Sequence, residues 1–250
     1  MELLSAELLV LLFIVGFCAG LLDAIAGGGG LIALPVLLGT GMSPVEALGT
    51  NKLQGSFGTT AAAAHFFRHG QIETDGAVFA VLCTFAGAIL GSLAVQISDP
   101  AFLNTLIPLL LIANALYFLL SPRIGDIERH RRIGLYSFAL LAGTGIGFYD
   151  GYFGPGAGSF FALAYVALLG YSMTRATAHS KLLNMTSNLA ALLLFAVNGY
   201  VVWQIGLLMG AAQVLGATAG AHLVIRRGAA LVRPLIVIVC LVMTIKLLWS

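Results

Sequence analysis

Two lysines sit where a very apolar chain has least reason to put them. Lys52 lies in Gly-Thr-Asn51-Lys52-Leu-Gln54 and Lys181 in Ala-His179-Ser-Lys181-Leu-Leu-Asn184, each near the start of a long hydrophobic run. At helical spacing Lys181 shares a stripe with Thr177, Asn184 and Asn188, and the matching stripe of the first run is Leu48, Lys52, Gly55 and Thr59. A cation in such a run needs a water-filled cavity, a counter-charge or an anionic ligand. A lysine reaching along its stem to the headgroups is the ordinary alternative. Upstream of each lysine stands an aspartate, followed at once by glycines: Asp23-Ala-Ile-Ala-Gly27-Gly28-Gly29-Gly30 and Asp150-Gly-Tyr-Phe-Gly154-Pro-Gly156-Ala. Such stretches free the backbone, and the helix that restarts after them has first N–H groups without intrahelical partners. Those N–H groups, with the positive end of a helix dipole behind them, suit an anion; close helix packing through small residues is the competing use.

Asp23 and Asp150 have three available roles: counter-ion or proton carrier beside a lysine, cap for the free N–H groups, or a simple interfacial residue. His179 can carry a proton near neutrality, although a lone histidine is more often just hydrogen-bonded. Neither glycine stretch has the spacing of a nucleotide-binding loop. No histidine pair has metal-ligand spacing, and Cys18, Cys83 and Cys240 sit singly in apolar runs, so no metal, disulfide or other cofactor is expected.

The elements that must carry these residues occur twice. Asp23 and Asp150 are 127 residues apart, while Lys52/Lys181, Gly41/Gly170, Gly87/Gly216 and Gly91/Gly220 are each 129 apart. Of the 250 residues 60% are hydrophobic and 9% charged, with mean hydropathy +1.01. A soluble domain carries about 25% charged residues, so the chain is expected to be an all-α, multi-pass protein of the plasma membrane, with the bilayer as its surroundings. The net charge of +2 forms no patch for nucleic acid. A homo-oligomer is compatible with this composition. The N-terminus lacks a basic segment and a cleavage site, which reads as a retained spanning helix.

A span needs about 20 apolar residues. Eight runs qualify: Leu3–Leu22, Leu48–Phe67, Ala77–Ile97, Phe102–Leu120, Ile133–Tyr149, Ala178–Val197, Val201–Val224 and Ala230–Trp249. Two shorter ones, Leu31–Leu38 and Phe160–Leu169, follow the glycine breaks. The organisation is a first repeat over residues 1–121, a linker over 122–132 and a second repeat over 133–250. Arg123, Arg129, Arg131 and Arg132 put the linker in the cytoplasm. Placing Arg175, Arg226, Arg227 and Arg233 there too requires Phe160–Leu169 to count as a crossing, which inverts one repeat relative to the other. Re-entrant short segments would instead leave the repeats parallel; the arginine count favours inversion. Irregular backbone at the breaks is tolerated only facing protein or a cavity, and paired broken segments in matching positions mark the site of a secondary transporter.

The stretches GLLDAIAGGGGLIALPVLL and GMSPVEALGTNKLQGS, with GFYDGYFGPGAGSFFALAYV, RATAHSKLLNMTSNLAALLLF and GAAQVLGATAGAHLVIRRG, resemble the sulfite exporter TauE/SafE family over almost the whole chain. The resemblance implies transport of a small anion such as sulfite, a sulfonate or thiosulfate, commonly coupled to protons. It carries over to Asp23, Gly27–Gly30, Asn51, Lys52, Asp150, Gly154, Lys181 and Asn184. Pro155 and Ala157 depart from the glycine run, so the half-sites are expected to be unequal. The resulting expectation is an anion held at the repeat interface by Lys52, Lys181, Asn51, Gln54, Asn184, Asn188 and the N–H groups of Gly28, Gly29, Gly30 and Gly156. Asp23, Asp150 and His179 would serve coupling, and one repeat would rock against the other. A passive anion channel is the alternative, and no nucleophile–base set supports an enzyme.

Overall fold

A computed structural model describes residues 5–120 and 130–227. The expected eighth helix, Ala230–Trp249, and linker residues 121–129 lie outside that range. Every regular element among the described residues is helical. The first repeat contains α1 (Ala6–Ala26), α2 (Gly29–Gly39), α3 (Pro44–Arg68), α4 (Ala77–Gln96) and α5 (Pro100–Leu120). The second contains α6 (Leu135–Phe138), a π turn at Ala139–Gly143 that runs on into α7 (Thr144–Tyr152), α8 (Ala157–Ala164) with a π turn at Tyr165–Leu169, α9 (Met173–Val197) and α10 (Trp203–Arg227). Four of these, over Ala6–Ile25, Ala77–Gln96, Met173–Val197 and Trp203–Ile225, are long and apolar enough to cross a membrane. The 25 residues of α3 also suffice in length, about 37 Å at 1.5 Å per residue, but this helix is too polar to face lipid on its own.

Local chemistry sets the boundaries. The side chain of Ser43 caps α3 in a reciprocal box with Glu46, with Pro44 in the first turn. Ser172, in the equivalent position, caps α9 by accepting the N–H of Arg175. Between α1 and α2 the chain turns at Gly27, whose φ of 75° lies in the left-handed region open to glycine.

Contacts at glycines give the helix directions. Gly87 and Gly91 of α4 pack on the carbonyls of Thr144 and Phe148, and Gly216 and Gly220 of α10 pack on those of Phe17 and Leu21. A methyl group at any of the four would run into main chain, so these glycines set the close approach. In both pairs the residue numbers rise together: α4 runs parallel to α7, and α10 parallel to α1. Leu53 and Phe57 of α3 lie against Gly206 and Gly210 of α10, again parallel. By contrast, Gly49 of α3 meets Phe195 of α9 and Gly55 meets Asn188, an antiparallel pairing. Because α3 and α9 are equivalent helices, the two repeats are inverted. Moreover α1 and α3 both run with α10, so α2 must bring the chain back between them. At 11 residues it covers about 16 Å, roughly half of a hydrocarbon core about 30 Å thick.

Inversion gathers the basic residues. The loop between α3 and α4 meets the start of α9 through the Glu73–Arg175 ion pair, His65 near the end of α3 packs on His222 of α10 at 6.1 Å between ring centres, and the N–H of Arg132 donates to Leu168 O at 2.9 Å. Arg68, Arg132, Arg175, Arg226 and Arg227 therefore share one end, which the positive-inside rule makes cytoplasmic. Single cysteines in a cysteine-free background test this: Asn198→Cys should react with an impermeant maleimide in intact cells and Asp75→Cys only after permeabilisation. Labelling of both from the same side would overturn the inversion.

Candidate functional site

The two lysines cross between the repeats. Lys52 Nζ donates to Asp150 Oδ1 at 2.5 Å and also to the Asp150 main-chain oxygen. Lys181 Nζ donates to the main-chain oxygen of Asp23 and, at 3.3 Å, to its Oδ2. Lys52 is 1% exposed, Lys181 0%, Asp150 1% and Asp23 5%, so all four charges are withdrawn from solvent. The accepting carbonyls belong to the last turns of α1 and α7. Each ammonium thus meets a carboxylate and the negative end of a helix dipole together.

The two breaks are packed on each other beside these ion pairs. Gly27 lies against Gly158 and the N–H of Ser159, and Gly30 faces Pro155 and the amide of Asn51. A side chain at Gly158 would collide with Gly27, Asn184 and Lys181, and one at Gly154, whose φ is 100°, with Lys52. Glycine is required here because backbone and ammonium groups occupy the space. The second break has an extra brace: Tyr149 Oη donates to Pro155 O at 2.7 Å and accepts from Asn114 Nδ2 of α5 at 2.9 Å. The residue equivalent to Tyr149 is Leu22, which offers no such bond.

Between the breaks and the facing surfaces of α3 and α9 lies a polar cavity with about 20 Å³ open to a water-sized sphere, room for one or two waters. Of the residues singled out in the sequence, Lys52, Asn51, Asn184, Asn188, Gly30, Gly156, Asp23 and Asp150 line it. Lys181 stands behind Asp23. Gly28 and Gly29 pack towards Leu22, Leu31 and Ala19, and Gln54 is buried elsewhere with its Oε1 unpartnered. His179 belongs to a different structure: its Nε2 accepts the N–H of Glu73 at 3.1 Å while Nδ1 donates to Arg175 O at 2.9 Å. Thr50 does the same work in the equivalent position, its Oγ1 accepting the N–H of Val202 at 3.0 Å. Both staples tie an interhelical loop of one repeat to the core helix of the other.

Gly55, Thr59, Ser187 and Gln213 complete the site and were not anticipated. Their signal was available at helical spacing: Gly55 and Thr59 follow Lys52 on one stripe, as Asn184 and Asn188 follow Lys181. Ser187 Oγ donates to Asp150 Oδ2, so Asp150 is held at both carboxylate oxygens. The residue equivalent to Ser187 is Gly58. The side chain of Gln213 lies over that glycine, only 2% exposed and with Oε1 unpartnered among the described residues. Asp23, lacking a serine, has Lys181 as its side-chain partner among the described residues, at the longer distance. The half-sites are therefore unequal in hydrogen bonding as well as in backbone. Among the described residues no cluster of histidine, cysteine and carboxylate side chains has metal-binding geometry.

The profile of the family described as "Sulfite exporter TauE/SafE" matches residues 12–247. The chain is 47% identical over 248 residues to "Probable membrane transporter protein YfcA" of Escherichia coli, covering 99% of this chain and 92% of that protein. It is 45% identical over 247 residues to "Probable membrane transporter protein" of Haemophilus influenzae, covering 99% and 97%. "Sulfite exporter TauE/SafE family protein 6" of Arabidopsis thaliana is 34% identical over 106 residues, 42% of this chain and 24% of that one. No solved structure matches.

Removing one partner of a buried ion pair leaves a bare charge and costs about 3–5 kcal/mol. Lys52→Met should therefore lower the thermal unfolding temperature sharply, and Lys52→Met with Asp150→Asn should recover most of the loss. Equal destabilisation by the single and double variants in a scanning-fluorimetry series would show that the pair is not coupled.

Proposed function

Because the chain belongs to the sulfite exporter TauE/SafE family, and is thus a multi-pass membrane transporter, we propose that it moves a small oxyanion by alternating access in company with a proton. The observation that carries this reading is the crossed pairing of Lys52 with Asp150 and Lys181 with Asp23 around a polar cavity at the two helix breaks.

Two lysines and two aspartates make a neutral buried set. An anion that enters adds one negative charge, which a low-dielectric site does not tolerate alone. Protonation of an aspartate restores neutrality and releases its lysine to the anion, so anion and proton bind together. Asp23 is the carboxylate suited to this exchange, since Asp150 is fixed by both Lys52 and Ser187. The freed ammonium, the amides of Asn51, Asn184 and Gln213 and the first N–H groups of α2 and α8 then supply donors to the oxyanion. Release of a lysine–aspartate pair also lets a cavity that holds one or two waters widen around a larger ion. His179, committed at both ring nitrogens to the staple, has no part in coupling in this reading. Sulfite, simple sulfonates and thiosulfate are the substrates to test first.

In proteoliposomes, an inwardly acidifying pH gradient should drive labelled sulfite above its equilibrium level, and Asp23→Asn should retain anion exchange while losing that accumulation. Flux that only equilibrates the anion, with no response to the pH gradient, would instead support a passive channel. The charge-neutral combination Lys181→Met with Asp23→Asn should fold and lose anion-dependent thermal stabilisation; stabilisation at the wild-type level would remove Lys181 from the site.

A further inference from the structure

The cavity holds two groups that can only accept hydrogen bonds, and they stand in equivalent positions of the two repeats. Thr59 Oγ1 lies 2.7 Å from Gly55 O, one turn back in α3. A carbonyl offers no hydrogen, so the hydroxyl hydrogen is committed to that contact. Asn188 Nδ2 lies 2.9 Å from Asn184 O, one turn back in α9, and 3.0 Å from Asn184 Oδ1. The carbonyl again fixes the orientation: the amide nitrogen must face it, and Oδ1 faces the other way, over Gly55. Thr59 is 1% exposed and Asn188 7%, yet both line the cavity. Each therefore turns lone pairs, and no hydrogen, towards whatever occupies it.

An oxyanion that is all acceptor would face these oxygens across an unfavourable contact. A buried acceptor left without a donor costs about 1–3 kcal/mol. Resting on the anion-site reading above, we infer that the transported species bears its own hydrogen-bond donor: a protonated oxyanion or a small sulfonate with a hydroxyl or amino group. The charged end meets the lysine and amide donors, and the donor end meets Thr59 and Asn188.

The inference is tested on the purified full chain by titration calorimetry with monoanions matched in shape and differing in the donor: hydroxymethanesulfonate against ethanesulfonate, and hydrogensulfite against chlorate at mildly acidic pH. The donor-bearing member of each pair should bind about five- to tenfold more tightly, the ratio that one satisfied buried acceptor gives. Thr59→Val should reduce that preference and Thr59→Ser restore it. Equal affinities within the pairs, or a preference unchanged in Thr59→Val, would overturn the inference and leave the anion site standing. Failure of all four anions to bind the wild-type chain would instead overturn the anion-site reading on which it rests.

Discussion

An ammonium group cannot be buried in a membrane protein without a negative partner, and here each partner belongs to the other half of the chain. Lys52 and Lys181 are among the most deeply buried side chains in the molecule, and neither repeat can neutralise its own lysine through the contacts observed. Much of the architecture follows from that need. The ends of α1 and α7 have to reach across the centre, so the breaks that follow them meet back to back at Gly27 and Gly158. The helices beside them must come close enough to allow it, which is why α4 and α10 present glycines to the carbonyls of α7 and α1. A side chain at any of these points would move an aspartate away from its lysine.

The pairing is symmetric in outline and unequal in strength. The serine that anchors Asp150 is replaced by Gly58 beside Asp23, the tyrosine that braces the second break is replaced by a leucine, and Gln213 fills part of the room left over. One carboxylate is thereby immobilised as a structural counter-ion, while the other keeps a single, longer contact. A neutral set of four charges with one loosely held member responds to an arriving ion more readily than two equally tight pairs, since only one pair need open.

Much of this was legible in the sequence because the constraints are local or repeated. The glycine breaks, the cap residues Ser43 and Ser172, and the 129-residue spacing announced the half-helices and their positions. The arginines indicated inversion, and the antiparallel packing of α3 on α9 agrees. The cross-pairing was not legible: an aspartate 29 residues before a lysine in each repeat looks like its natural partner, and only the folding-back of α2 shows that it is not. His179 looked like a proton carrier because its neighbours in sequence are polar, whereas its partner Glu73 arrives from a loop 106 residues away. Gln213 sits in a helix of small and apolar residues, where a lone amide carries no mark of what it faces. Thr59 and Asn188 were visible as stripe members, but their acceptor-only character depends on carbonyls that only a three-dimensional backbone supplies.

The last helix of each repeat lies against the first and third helices of the other repeat, and this exchange bears on where the molecule can bend. A seam drawn through the linker would cut α10 from α1 and α4 from α7, the tightest backbone approaches in the structure. Bodies that stay rigid must instead combine α1, α2 and α3 with α10, and α7, α8 and α9 with α4. The seam then falls between α3 and α9, and the chain crosses it at the short turns after α3 and α9. Those turns are the ones stapled by His179 and Thr50, so the residues that looked like chemistry at one of these positions are fittings of a hinge.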